Sequence, residues 1–141
     1  MSDMNTPPIF CLLIAATAHA AIAAPVQFSC PSSVPVSTVQ VPGWTATVAS
    51  ELFLNSAAPI SGPPEMRGDL AEFASKPGKL EWSYTYDLDR PFPNGKWLEC
   101  GYGAHNEVTL ARPLPEKLKS CSFTYGKGAK AGQHAIKISC I

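Results

Sequence analysis

The fold is decided by two segments, SCSFTYG at residues 120–126 and HAIKISCI at residues 134–141. In each of them apolar side chains occupy every second position, with mostly small or polar side chains between them. This two-residue period is typical of a β-strand that buries one face. Because residues 127–133 are rich in glycine, alanine and lysine, we predict that the two strands form an antiparallel hairpin.

The same alternation predicts the register of this hairpin and one disulfide bond. Placing Phe123 opposite Ile138 brings Cys121 directly opposite Cys140, within the reach of a disulfide. That pairing leaves Cys100 for Cys30. Four cysteines permit three pairings. The other two remain open from the sequence alone, and a Cys30–Cys121 link would contradict the predicted register.

Most of the remaining chain also predicts strands. Residues 80–86 alternate large apolar side chains with polar ones, and Val108 and Leu110 are expected to face the core from a further strand. From residue 96 onward we predict an antiparallel meander with strands over 96–103, 107–114, 120–126 and 134–141. Upstream strands are predicted over 36–41 and 44–54.

One short surface helix is predicted over 65–73, where Glu65, Met66, Leu70 and Phe73 fit two helical turns that end before Pro77. The predicted fold class is therefore mainly β. We expect a small, sandwich-like antiparallel domain with one short helix and two disulfides.

Residues 1–23 predict a signal peptide. An apolar stretch begins at Ile9 and runs through alanines to small residues that suit cleavage after Ala20 or Ala23, although Asp3 and not a basic residue precedes it. The alternative, an uncleaved anchor, conflicts with an apolar stretch shorter than the roughly 20 residues of a membrane span. Cleavage leaves a single disulfide-bonded β-rich domain over 24–141, and its even cysteine count fits the oxidising periplasm.

Formal charge is balanced, with 11 Lys and Arg against 11 Asp and Glu. No block of like charge is present, so neither nucleic acid nor an anionic membrane surface is predicted as a partner. No integral membrane segment is expected after signal cleavage. The partner that we predict is a periplasmic protein.

Residues suited to catalysis are few and scattered. His105 and His134 lie in predicted loops or at strand ends, where solvated side chains are expected, and Asp87 and Asp89 lie at a strand end beside Arg90. The sequence has no Cys-x-x-Cys pair for zinc and no Gly-x-Ser-x-Gly motif for a nucleophile. We therefore predict no catalytic residue, no metal and no cofactor.

A candidate binding residue is Trp97, whose strand parity is opposite to that of Cys100. It is expected to project from the outer face together with Glu99, where a tryptophan can anchor a protein partner. The alternative is that Trp97 lies under the proline-rich segment 91–93 and fills a minor second core.

Several motifs together resemble a family of small exported, disulfide-containing proteins of Gram-negative bacteria. In chain order they are CP at 30–31, GW at 43–44, GPPE at 62–65, Trp82, WLECGY at 97–102, LARPLP at 110–115 and SC at 120–121. The resemblance implies a periplasmic, disulfide-bonded protein. No active site comes with it, so it assigns no catalytic residue.

The function predicted from these observations is binding without catalysis, as an inhibitor, an immunity-type protein that neutralises an antibacterial toxin, or an accessory subunit. One alternative is a small hydrolase acting on the cell wall through His105 or His134 with a carboxylate. Another is a structural component of the envelope.

Overall fold

The structure, a computed structural model, describes residues 24–35, 41–43, 45, 51–68 and 73–141. Within them the chain forms nine β-strands and one short 3-10 helix. The strands are β1 (Val26–Phe28), β2 (Ser33–Val34), β3 (Leu52–Ser61), β4 (Phe73–Lys76), β5 (Trp82–Asp87), β6 (Lys96–Tyr102), β7 (Val108–Pro113), β8 (Ser120–Lys127) and β9 (His134–Cys140). The fold is mainly β, as the alternating sequence predicts.

The strands form two antiparallel sheets that pack face to face. The first sheet has the order β1-β9-β8-β5-β4 and the second has the order β2-β3-β6-β7. Both sheets contribute to one core, because their inward residues alternate with polar outward ones. Its most buried members are Leu88, Leu98, Tyr102, Cys121, Phe123, Ile138 and Cys140.

The predicted hairpin register and both disulfides are present. In the β8–β9 pair Phe123 is opposite Ile138 and Cys121 is opposite Cys140. The Cys121–Cys140 bridge joins these neighbouring strands with a Cα–Cα distance of 4.1 Å. The second bridge, Cys30–Cys100, ties the segment between β1 and β2 to the middle of β6.

The predicted continuous meander from residue 96 to the end is wrong. The β6–β7 hairpin belongs to the second sheet and the β8–β9 hairpin to the first. Pro113 and Pro115 flank Leu114 at the end of β7, and Leu114 and Leu118 are both buried. The connection therefore passes along the edge of the core to the other sheet, and burial of these two leucines, which are four positions apart, stabilises it there.

The helix predicted over 65–73 is wrong at those of its positions that the structure describes beyond Met66; residues 69–72 lie outside the described residues. Pro64–Met66 forms a 3-10 turn that ends at Arg67 in the left-handed conformation with φ 48°. A Cβ at Gly68 would collide with the carbonyl oxygen of Ser61, so the chain lies directly against β3 at this residue. Phe73 begins β4 instead.

Strand boundaries differ in three further places. The 80–86 strand begins at Trp82, and Leu80 is 85% exposed in the turn before it. The strand predicted over 44–54 is observed from Leu52 and continues to Ser61, while Trp44 lies outside the described residues. Of the strand predicted over 36–41, only Val41 is described, and it is exposed and not in a strand.

The predicted signal peptide, residues 1–23, lies outside the described residues. In the part of the chain that is described, no helix has the length and apolar character of a membrane span.

Candidate binding surfaces

The outer face of the second sheet carries Trp97 and Glu99. Trp97 is opposite Ile60 on β3 and Pro113 on β7, and Glu99 stands one row further along β6. Both are half-buried, and Ile60 is 5% exposed. The indole of Trp97 also lies against the turn at Gly95, where a built Cβ would be 3.6 Å from Nε1. Ile60, Trp97 and Pro113 therefore form an apolar strip across this face, beside the row that holds Glu99 between Ala58 and Ala111.

A groove lies beside the Cys30–Cys100 bridge, at the β7 edge of the second sheet. Its volume is about 410 Å³, and it is lined by Ser29, Cys30, Pro31, Leu98, Cys100, Leu110, Ala111 and Arg112. Leu110 was expected to be a core residue, yet it is 40% exposed. The parity of Leu110 is as predicted, but β7 is an edge strand among those described, and its Leu110 side chain stays partly exposed.

Aromatic rings line the inner face of the first sheet on strands β4, β5 and β8, towards the edge that β4 forms. Phe73 on β4 contacts Tyr84 and Tyr86 with ring centroids 5.4 and 5.5 Å apart, and Trp82 stacks on Tyr125 at 5.5 Å. Phe73 is 54% exposed. The sequence did not indicate that Phe73 joins these rings from a strand, because the few residues around it fit a helical period equally well.

Two tyrosines in the core illustrate how this packing affects ionisation. Burial, as the largest cause, together with the nearby Tyr125 and Tyr84 raises the pKa of Tyr86 to about 12. Burial alone raises the pKa of Tyr102 to about 12. The Tyr125 hydroxyl bridges the two sheets, since it donates to the carbonyl oxygen of Ala57 at 2.6 Å and accepts from the Ala57 N–H at 2.9 Å.

The two histidines occupy different environments. His134 was expected to be solvated, but it is half-buried, edge-on to Trp82, with Nδ1 donating to the backbone carbonyl of Asn55 at 2.6 Å. His105 is exposed in the β6–β7 turn, and its backbone N–H donates to the Glu107 carboxylate. Hydrogen bonds from the backbone N–H groups of Glu107 and His105 lower the pKa of Glu107. Among the described residues no carboxylate is hydrogen-bonded to either imidazole.

The paired aspartates form a local turn. One oxygen of Asp87 accepts the backbone N–H of Asp89 at 2.9 Å, and the other is 3.7 Å from Nε of Arg90. The predicted solvated, ion-paired strand end is what the structure has here. Across the described ranges no group of three His, Cys, Asp or Glu side chains is arranged to hold a metal ion.

The chain is thus a small disulfide-linked β-sandwich, and the features described above are an apolar strip and a groove on its surface. Such surface features are typical of a protein that binds another protein. Comparison with known proteins identifies the family of binding proteins to which the chain is similar. The family of Type VI secretion system Tli immunity proteins matches residues 49–141, and the chain belongs to this family. No curated protein and no solved structure matches it.

The family match bears directly on the predicted function. The matched part contains β3 to β9 and the cysteines at 100, 121 and 140, whereas Cys30 precedes it. Immunity-type binding, predicted from the sequence, is confirmed by this membership. The hydrolase alternative finds no support in it.

Proposed function

We propose that this chain is a periplasmic immunity protein that binds a toxin effector of a type VI secretion system and blocks it without catalysing a reaction. The observation that carries the proposal is the match to the immunity family over 49–141, which includes most of both sheets. In this proposal residues 1–23 direct export and are removed after Ala20 or Ala23, leaving the domain over 24–141.

The two disulfides support the periplasmic location. Disulfides form and persist in the periplasm and are rare in the reducing cytosol. Cys121 and Cys140 are 0% and 1% exposed, so their bridge is an integral part of the core. A protein that meets a toxin in the periplasm would keep this cross-linked form.

The scaffold suits inhibition by occlusion. Binding costs free energy whenever side chains and loops must be ordered, and a cross-linked sandwich reduces this cost in advance. The apolar strip at Trp97, with Glu99 beside it, offers one anchor, since tryptophan residues with polar neighbours often dominate protein interfaces. Trp97 and Glu99 therefore remain the proposed contact residues of the outer face.

The test is protection of growth. Each type VI effector of the producing bacterium is expressed with an export signal in a sensitive host, with or without this chain. We expect one effector whose toxicity the exported chain abolishes, while a version lacking residues 1–23 and retained in the cytosol gives no protection. If the exported, oxidised chain protects against none of the effectors, the proposed function is wrong.

Trp97→Ala tests the outer-face contact in the same assay, with Lys137→Ala on the outer face of the first sheet as the matched control. Protection should fall with Trp97→Ala and persist with Lys137→Ala, provided that both variants retain the wild-type thermal transition. Full protection by a folded Trp97→Ala chain would remove this residue from the interface.

A further inference from the structure

The groove beside the Cys30–Cys100 bridge is lined partly by apolar side chains and has an open side, and Pro31, Leu98 and Leu110 are among its lining residues. Leu98 is 1% exposed, whereas Leu110 is 40% exposed and Pro31 is exposed as well. Leu98 therefore belongs to the core, but Pro31 and Leu110 are accessible to an entering side chain.

The β7 backbone on the open side has hydrogen-bonding groups to offer. The Leu114 N–H donates to the Lys96 carbonyl at 2.8 Å, so these opposite residues form a hydrogen-bonded pair. Hydrogen-bonded pairs alternate along an antiparallel ladder, which directs the backbone groups of Arg112 towards β6 and those of Thr109 and Ala111 away from it.

Proline placement along β7 agrees with this assignment. Pro113 belongs to the outward-directed set, where its missing N–H takes no bond from the β6 ladder, and prolines in sheets are confined to such edges. Among the strands described, β7 is the last of its sheet. Its outer edge thus presents the N–H and C=O groups of Thr109 and Ala111, a template for one added strand.

The rim of the groove is positively charged. Arg112 is exposed and lines the groove, and it makes no ion pair with any other described residue. A guanidinium presents a fixed fork of donors that matches a carboxylate. Leu110 and Arg112 are two residues apart on β7 and lie on the same face of the sheet. The occupant that complements this edge is consequently an extended segment that carries an apolar and an acidic side chain two residues apart, on one face.

We infer that the toxin partner docks such a segment on the β7 edge. Its backbone pairs with Thr109 and Ala111, one apolar side chain enters the groove between Pro31 and Leu110, and one carboxylate binds Arg112. This inference rests on the proposed function for the identity of the partner. The chemistry of the edge itself rests on the groove, the ladder and the arginine.

The first arm of the test uses a synthetic probe and needs no toxin. A capped hexapeptide of sequence Thr-Glu-Thr-Val-Thr-Glu, which presents valine and glutamate on one face when extended, is titrated into the isotopically labelled, oxidised protein, and backbone amide shifts are followed by NMR. The largest shifts are expected at Thr109 and Ala111. Replacing each glutamate of the peptide by lysine should weaken binding about tenfold or more.

Two variants and one control sharpen this arm. Arg112→Glu reverses the rim charge, and Ala111→Pro removes one outward N–H while leaving the β6 ladder intact. Both should reduce peptide affinity about tenfold, whereas Lys137→Glu, an equal charge reversal on the far sheet, should not. Absence of shifts along β7, or affinities that the Arg112→Glu and Ala111→Pro changes leave unaltered in folded protein, would overturn the inference.

The second arm applies the same variants to growth protection. If the wild-type chain protects and folded Arg112→Glu and Ala111→Pro chains protect equally well, the docking surface is wrong but the proposed function stands. If the wild-type chain protects against no effector, the proposed function fails and so does the assignment of the toxin as occupant. A concentration-dependent dimer that Ala111→Pro abolishes would show that a second copy of this chain binds the β7 edge, and this result would contradict the inference.

Discussion

Buried hydroxyl groups in this core differ in what they contact. The Tyr125 hydroxyl makes two hydrogen bonds to the Ala57 backbone across the sandwich. The Tyr102 hydroxyl is equally inaccessible but finds no hydrogen-bond partner among the described residues. A buried polar atom without a partner has lost its hydration and gained nothing in return.

We therefore predict opposite outcomes for two chemically identical changes. Tyr125→Phe should lower the free energy of unfolding by about 1–3 kcal/mol, because it leaves the Ala57 N–H and C=O unpaired. Tyr102→Phe should leave the free energy of unfolding unchanged or raise it slightly. Equilibrium unfolding in urea measures both. A larger loss for Tyr102→Phe than for Tyr125→Phe would contradict this account.

Alkaline pH should destabilise the fold through the same class of side chain. The folded pKa values of Tyr86 and Tyr102 are about 12, above the ordinary value of 10 that applies to the unfolded chain. Between these two values the unfolded state releases protons that the folded state retains, so the free energy of unfolding falls as the pH rises. The contribution of both tyrosines is fully present below pH 10.

Thermal melts at pH 8, 10 and 11 test this expectation. The midpoint should drop between pH 10 and 11 in the wild-type chain and drop less in a Tyr86→Phe/Tyr102→Phe variant. A variant that follows the wild-type pH profile would show that other groups cause the alkaline loss.

At the scale of the elements, Lys96 holds the connection that carries the chain from β7 to β8. Its side chain is buried, and Nζ donates to the carbonyl oxygens of Glu116 and Leu118 at 2.6 and 2.7 Å. The ammonium group also lies 5.6 Å from the ring centroid of Phe92. The lysine thus replaces the backbone partners that these carbonyls would have in a regular strand.

Replacing Lys96 by methionine should lower the free energy of unfolding by about 2–3 kcal/mol, because two inward carbonyls lose their donor. The exposed Lys79→Met change is the matched control and should cost less than about 0.5 kcal/mol. Urea unfolding of both variants compares them. Equal stabilities would mean that the Lys96 ammonium does not hold the connection.

The disulfides differ in the length of chain that each one closes. The bridged cysteines are 19 residues apart in Cys121–Cys140 and 70 apart in Cys30–Cys100. In the chain-entropy model, replacing both cysteines by serine should cost about 3 kcal/mol for the shorter loop and about 4 kcal/mol for the longer. Denaturant unfolding of the two double variants tests the order, and a costlier loss of the hairpin bridge would contradict it.

Alternation along the sequence was sufficient to predict the strands from 96 onward and the register that pairs Cys121 with Cys140. It was insufficient to assign each strand to a sheet, because both sheets bury one face and share the same two-residue period. The crossing between β7 and β8 depends on the burial of Leu114 and Leu118, which is a property of the packed molecule. The second half of β3 was not predicted, because it contains Pro59 and a proline usually argues against a strand interior.

The candidate site was predictable only in part for a similar reason. Strand parity predicted that the Trp97 and Cys100 side chains lie on opposite faces of the sheet, as they do in the structure. The half-burial of Trp97 follows from the neighbouring turn at Gly95. The groove at Leu110 had no signal in the sequence. Leu110 lies on β7, the last strand of its sheet among those described, and how far its side chain is covered depends on the packing of the whole fold.

As a whole, the molecule is a cross-linked sandwich, and in the proposed function it blocks the toxin by binding to it. A binding inhibitor must be present in at least equal amount to the toxin that it blocks, whereas an enzyme that destroys or modifies the toxin works when far less abundant. Stoichiometry therefore distinguishes the two mechanisms more directly than any further description of the surfaces.

The most direct measurement is a titration of effector activity with the purified, oxidised domain over 24–141, using the effector against which the chain protects cells. We expect a linear fall in activity that reaches its minimum at one equivalent and does not change with incubation time, alongside a one-to-one complex of the two chains. Continued loss of activity with time at a small fraction of one equivalent, without a stable complex, would contradict this expectation.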